Sequence, residues 1–202
     1  MRRATTTRVI ADPFVQFARW FRDAERCRPI RHPEGACLST ADRTVGPDGR
    51  MVLIKQVDAR GFVFYTNLRS TKCQALRRSP RAALTFYWAP LGRQVRIRGS
   101  AVSVSRAEAD AYFASRPRDT QIGAWASDQS APLSSRAVLI RRFAAHAKRF
   151  RGQPVPRPPF WSGFRIVPAA FEFWQEQPHR LHDRFLYLRT RTGQWTITRR
   201  YP

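Results

Sequence analysis

Lysine is nearly missing from this chain: only Lys55, Lys72 and Lys148 are lysine among 37 basic residues, the other 34 being arginine. Acidic residues are scarce too, 14 against those 37, which leaves a formal net charge of +23. Cysteine is limited to Cys27, Cys37 and Cys73, scattered and odd in number, which excludes a disulfide framework and a cysteine metal centre. No apolar run approaches the ~18 residues of a membrane-spanning helix. The opening MRRATTTRVIADPF is basic but has no apolar secretory core, so a cytoplasmic address is expected. There is no G-x-S-x-G elbow, H-E-x-x-H or Walker loop. His179 and His182 have only Asp183 beside them, so no metal site is expected. The charge raises the question of nucleic acid, but the arginines run along the whole chain and no finger or RNA-binding motif accompanies them. Specific nucleic-acid binding is therefore not expected.

What is present centres on Phe171–Tyr187, FEFWQEQPHRLHDRFLY. Two Arg, two His and one Asp crowd its middle, His179 to Arg184, a composition suited to a flat anionic ligand: guanidinium forks bind phosphate or carboxylate, and rings stack on rings. Read as a strand, the segment puts Arg180 and His182 on one face, Leu181 and Asp183 on the other. An ordinary charged sheet edge would show the same composition.

The patterning elsewhere is mostly that of strands. Asp12-Pro13 followed by Phe14, Phe17, Phe21 and Ala24 predicts a capped amphipathic helix. Strands are predicted at Ala36–Thr40 and Met51–Val57 around a turn at Asp42–Gly49, then at Gly61–Thr66, Ala82–Trp88 and Gln94–Val104. Ser70 starts a short helix carrying Lys72. Ser105-Arg-Ala-Glu108 is a capping box for a helix that Pro117 stops, with Tyr112 and Arg116 on one face. A polar loop is expected over Arg118–Pro132, a helix over Ser134–Phe150, a stiff proline connector at 154–159, and closing strands at Gly163–Val167, Ala170–Trp174, Asp183–Leu188 and Trp195–Arg199. This predicts mainly antiparallel β with peripheral helices, a closed or split β-barrel, as a single domain over 1–202 with residues 1–11 as an N-terminal arm.

Several stretches bear chemistry. Arg50 and Lys55 end the apolar run RMVLIK, where long cationic side chains can bracket a ligand. Tyr65-Thr66 leads to Ser70-Thr71-Lys72 at a helix N-terminus, an anion site or a simple cap. Tyr112, Arg116 and Thr120 make a phosphate-type set. Gln94, Gln129 and Ser130 offer neutral donors and acceptors to a heterocycle edge, and Trp174 offers a wall for a flat ring. With phosphate binders and ring contacts but no evident nucleophile, a bound cofactor is expected to carry the chemistry.

The segments RMVLIK (50–55), GFVFYTN (61–67), YFASRPRDTQIGAWASDQS (112–130), FWSGFRI (160–166) and FEFWQEQPHRLHDRFLY resemble, in order, the pyridoxine/pyridoxamine 5'-phosphate oxidase family, FMN enzymes of the split-barrel fold. The resemblance implies FMN held by Arg50, Met51, Val52, Leu53, Ile54, Lys55, Tyr65, Thr66, Lys72, Gln94, Gln129, Ser130, Trp174 and Arg184. It implies a phosphorylated B6 vitamer held by Lys55, Tyr112, Arg116, Thr120, Arg180, Leu181 and His182, with Arg180 and His182 catalytic over the pyridine ring. It further implies a homodimer with FMN at the interface, and oxidation to pyridoxal 5'-phosphate with O2 reduced to H2O2. The alternatives are a sister FMN oxidase of the phenazine-biosynthesis type, or a non-catalytic flavin or pyridoxal phosphate-binding protein. The chain departs from the family pattern at Thr71, where Arg is usual and Arg69 is the nearest substitute, and at Thr120, where Ser is usual.

Overall fold

The computed structural model describes residues 9–42 and 46–202, and nine strands within them join in one antiparallel sheet. The strands are β1 (Gly35–Asp42), β2 (Gly46–Leu53), β3 (Gln56–Asp58), β4 (Gly61–Asn67), β5 (Arg81–Trp88), β6 (Arg93–Ser103), β7 (Trp161–Gln175), β8 (Asp183–Arg189) and β9 (Trp195–Arg200). Five helices accompany them: α1 (Pro13–Arg26), α2 (Thr71–Arg78), α3 (Arg106–Ser115), α4 (Arg118–Ala126) and α5 (Arg136–Arg149). The expected class, mainly antiparallel β with peripheral helices, is what forms.

The sheet runs β2-β1-β5-β6-β7-β4-β3, and β8 and β9 branch from β7. The branching follows from the length of β7. Its first half pairs with β4, from Trp161↔Asn67 to Ile166↔Phe62, and its second half pairs with β8, from Ala170↔Leu188 to Gln175↔Asp183. Strand β6 runs beside both halves, with a register shift at Arg98/Gly99. That bulge is why one continuous strand replaces the two predicted there. Gly99 faces Pro168, and a Cβ on Gly99 would lie 2.0 Å from the Val167 carbonyl oxygen, so only glycine lets the backbones pass at the bend.

One face of the sheet is the core. Phe17 and Trp20 of α1 pack on Phe62, Phe86, Trp88, Phe171 and Phe173, all buried. Asp12 caps α1 as its spacing predicts, its carboxylate accepting from Phe14 N at 2.8 Å. A smaller cluster of Phe113, Ile122, Phe150, Val155 and Trp161 lies beneath α3, α4 and α5.

Three local expectations are corrected. Residues 118–126 are helical, because the Pro117 carbonyl accepts from Thr120 N and Gln121 N to start a new turn in this polar stretch. Strand β2 already begins at Gly46, inside the predicted turn, and breaks after Leu53, where Ile54 is buried in the core. The predicted turn's residues 43–45 lie outside the described residues. The stretch 178–180 is a tight 3-10 turn, so Arg180 and His182 do not alternate along a strand.

Candidate active site

An open cleft of about 510 Å³ lies where the ends of β2 and β4 meet α2, α3 and α4. Its floor comes from Met51, Val52, Leu53 and Lys55. Tyr65, Thr66, Asn67 and Lys72 form one side, and Tyr112, Arg116, Thr120, Gly123, Ala124, Ser127, Gln129 and Trp161 the other.

Lys72 occupies the first turn of α2, and its side chain is drawn inward. Its Nζ donates to Thr66 Oγ1 and Ser70 Oγ, each at 3.2 Å, and burial lowers its pKa from the usual lysine value. No carboxylate among the described residues pairs with it. Ser70 stands at the N-cap position but does not cap with its side chain; its hydroxyl donates to the Asn67 carbonyl at 2.8 Å. The β4 end is tied to the loop after α4: Gln129 Oε1 accepts from Thr66 Oγ1 at 3.0 Å and from Asn67 N at 3.3 Å, and Asn67 Nδ2 donates to the Ser127 carbonyl.

The opposite side is an aromatic stack with a guanidinium on its end. The rings of Tyr65 and Tyr112 are 4.0 Å apart and 12° from parallel, and Trp161 continues the stack 5.5 Å from Tyr65. Gly163, opposite Tyr65 in register, makes room for this: a Cβ there would sit 2.7 Å from the Tyr65 ring. Arg116 lies with its Cζ 4.8 Å over Trp161, and its Nη1 is buried without a hydrogen-bond partner. Burial lowers the Arg116 pKa, only partly opposed by Tyr112. A buried donor with no acceptor is costly unless something arrives to accept from it.

The cleft thus gathers eleven of the residues expected at a site: Met51, Val52, Leu53, Lys55, Tyr65, Thr66, Lys72, Tyr112, Arg116, Thr120 and Gln129. Arg50 is beside it but turned away, donating to the Leu38 carbonyl at 3.1 Å, to Thr40 Oγ1 at 2.8 Å and to Asp48. Ile54 belongs to the core, and exposed Ser130 follows Gln129 with a left-handed backbone (φ 72°). Arg69, the substitute suggested for a missing arginine at position 71, stacks 4.5 Å over Phe160 and does not line the cleft.

A second group forms elsewhere on the sheet. Gln94, Trp174 and Arg184 are direct neighbours on β6, β7 and β8. His182 lies 4.6 Å from the Trp174 ring and accepts from Gln177 N through Nδ1 at 3.2 Å, which leaves Nε2 to carry the hydrogen of the neutral ring. His179 and Arg180 hold φ of 58° and 60°, a left-handed pair of non-glycine residues, a kind of strain that concentrates at functional turns. Arg184 donates to both Glu172 oxygens, at 3.0 and 3.1 Å, while its Nε is buried and unpaired. Neither this group nor exposed Leu181 lines the cleft. The sequence reading missed Asn67, Ser127 and Trp161; the small Gly163 two residues after Trp161 was the available signal for a stacked ring.

Known proteins match the chain along nearly its whole length. The family model described as pyridoxamine 5'-phosphate oxidase matches residues 24–148, and one described as the pyridoxine 5'-phosphate oxidase C-terminal dimerisation region matches residues 161–202. The pyridoxine/pyridoxamine 5'-phosphate oxidase of Caulobacter vibrioides (strain NA1000 / CB15N) is 53% identical over 191 residues, 95% of this chain and 85% of its own. That of Gluconobacter oxydans (strain 621H) is 50% identical over 192 residues, 95% of each. Among solved structures, PhzG from Burkholderia lata 383, in complex with tetrahydrophenazine-1-carboxylic acid, superposes with a TM-score of 0.89 at 30% identity, covering 96% of this chain and 94% of that one. An FMN-binding protein from Nostoc punctiforme PCC 73102, related to pyridoxamine 5'-phosphate oxidase, shares the fold at a TM-score of 0.76 and 15% identity, covering 96% and 100%.

Proposed function

This chain belongs to the pyridoxine/pyridoxamine 5'-phosphate oxidase family, and we propose that it oxidises pyridoxamine or pyridoxine 5'-phosphate to pyridoxal 5'-phosphate with FMN as cofactor. One observation carries the reading: the cleft holds two separate cations, the buried Lys72 and the half-buried Arg116, and no carboxylate among the described residues neutralises either. Flavin mononucleotide and a phosphorylated vitamer together bring two phosphates. Lys72, with the Thr66 and Ser70 hydroxyls and the α2 N-terminus, suits the flavin phosphate; Arg116, with Tyr112, Thr120 and Lys55, suits the substrate phosphate. The unpaired Arg116 Nη1 and the apolar floor of Met51, Val52 and Leu53 fit a flat anionic pair of ligands.

FMN, when bound, supplies the hydride acceptor and returns the electrons to O2, giving H2O2. The residues of this chain bind and orient. Gln129, held by Thr66 and Asn67, offers its amide to a heterocycle edge, and the Tyr65–Tyr112–Trp161 stack excludes water from one side. Arg180 and His182 contact the pyridine ring, with His182 held through its Nδ1, which accepts from Gln177 N.

Arg180, His182, Trp174, Arg184 and Gln94 reach a cleft only if it belongs to another copy. The homodimer accounts for this, each site taking its cleft from one protomer and its ring-contact residues from the partner. Support comes from the dimerisation-region match over 161–202 and from exposed Met51 and Tyr87 on the outer face of the sheet. The phenazine-type alternative is less favoured, since the identity falls from 53% with the vitamer oxidase to 30% with PhzG.

The test is aldehyde formation from pyridoxamine 5'-phosphate by FMN-loaded protein, with H2O2 followed in parallel. Equal yields of both, lost in Arg180→Ala and His182→Ala, are expected. Flavin-loaded protein that forms no aldehyde overturns the substrate; protein that takes up no FMN overturns the cofactor.

A further inference from the structure

The substrate-phosphate grip depends on how α3 is seated, because Tyr112 and Arg116 both ride on that helix or its C-cap. Glu108 lies four residues before Tyr112 and eight before Arg116, so the three share one helix stripe. Arg165, buried on β7, donates through Nη2 to Glu108 Oε1 and through Nη1 to Asp58 Oδ1, each at 2.8 Å. Asp58 ends β3 at the turn into β4, so one guanidinium joins the β3–β4 turn, β7 and the first turn of α3. Below this point Ala109 is fully buried against Val63 and Val104. Exposed Arg60 also reaches Asp58 and Glu108, at 2.9 and 3.4 Å, but its water-facing side chain contributes little.

We propose that Arg165 is a positioning residue for substrate: by holding Glu108 it fixes the rotation of α3, and so sets Tyr112 against Tyr65 and Arg116 over Trp161 in the geometry that grips a phosphate. The inference rests on the functional reading above. The Glu108 carboxylate does two jobs with two oxygens. Its Oε2 accepts from Ser105 N at 3.0 Å in the capping box, which keeps α3 helical, while Oε1 takes Arg165, which keeps the helix in register with the sheet. Without Arg165 the helix persists but is free to turn about its axis. Arg116 lies about 12 Å along the axis from Glu108, where a small rotation displaces a long side chain appreciably.

Two variants separate positioning from folding. Arg165→Met removes the guanidinium, and Glu108→Gln keeps a capping-box side chain while removing the charge Arg165 holds. Both are expected to raise KM for pyridoxamine 5'-phosphate about tenfold with kcat and FMN affinity within about twofold of wild type, and Arg165→Lys recovers part of the loss. Competitive inhibition by inorganic phosphate weakens in the same proportion. Unchanged KM in both variants overturns the proposal, as does a parallel fall in kcat, FMN affinity and melting temperature, the pattern of a merely structural role. Should the wild-type protein oxidise no vitamer, the functional reading fails, and the grip is tested separately by quenching of tryptophan fluorescence with inorganic phosphate. Equal phosphate affinity in wild type and Glu108→Gln then overturns it.

Discussion

Lys72 is the residue whose placement costs the free protein most plainly. It is buried at 8% exposure with hydroxyl partners only, and burial lowers its pKa from the usual 10.5. Between the folded and unfolded pKa values the unfolded chain binds more protons, so stability rises with pH there. The penalty is therefore absent above the unfolded value and accrues as pH falls through the folded one. Replacing the ammonium with an apolar side chain of similar length removes that penalty. Lys72→Met is expected to be about 1–2 kcal/mol more stable than wild type without FMN at neutral pH, by urea unfolding. The same variant should bind FMN about 10- to 100-fold more weakly by flavin fluorescence titration, through loss of a charge-assisted hydrogen bond. A variant that is both less stable and unchanged in FMN affinity would place Lys72 in the fold and not in the site.

At the scale of elements, what was legible was what local chemistry dictates. Asp12-Pro13 and the Ser105–Glu108 capping box announce α1 and α3, and both caps form as bonded pairs. Helix α4 was hidden because its sequence, RDTQIGAWA, is half polar with a glycine inside; it forms through tertiary ties such as Gln121 Nε2 donating to the Phe113 carbonyl at 2.8 Å. The cleft residues on β2, β4, α2 and α3 were readable as phosphate and ring binders, whereas Trp161, Asn67 and the seat made by Arg165 depend on strand register, which no local pattern states. The tie between β8 and the chain before α1 is of the same long-range kind. Tyr187 OH donates to the Ile10 carbonyl at 2.8 Å, and burial pushes its phenol up to about 12. A phenol whose pKa is raised by folding contributes stability that is fully present below the unfolded value near 10 and is lost as pH rises through about 12. Tyr65 and Tyr112 are raised by burial as well, so the comparison with Tyr187→Phe isolates this one group. That variant should be about 1 kcal/mol less stable at neutral pH and should lose less stability than wild type between about pH 10 and 12. Parallel stability curves for the two proteins would remove Tyr187 from the alkaline transition.

For the whole molecule, the decisive feature is that the two sets of proposed site residues occupy different places on one protomer. The cleft with Lys72 and Arg116 opens beside α2 and α3, while Gln94, Trp174 and Arg184 are in register on β6, β7 and β8, with His182 against Trp174. The branching of the sheet at β7 produces this separation, since β4 and β8 pair with opposite halves of that strand and carry the two sets apart. In the proposed two-fold dimer each cleft meets the partner's β6–β8 face, because a symmetric contact that places one protomer's residues on the other does the reverse as well. Complementation tests this directly. Lys72→Met damages only the cleft set and Arg180→Ala only the ring-contact set, so at an FMN concentration that fills wild type but not Lys72→Met each homodimer alone is nearly inactive. When the two are unfolded together and refolded in equal amounts, about half the dimers are mixed, and each mixed dimer has one site with both lesions and one with neither. About a quarter of the wild-type activity is therefore expected to return at that FMN concentration. If every site instead drew all its residues from a single protomer, each site in the mixture would keep one lesion, and the mixture would stay as inactive as its components.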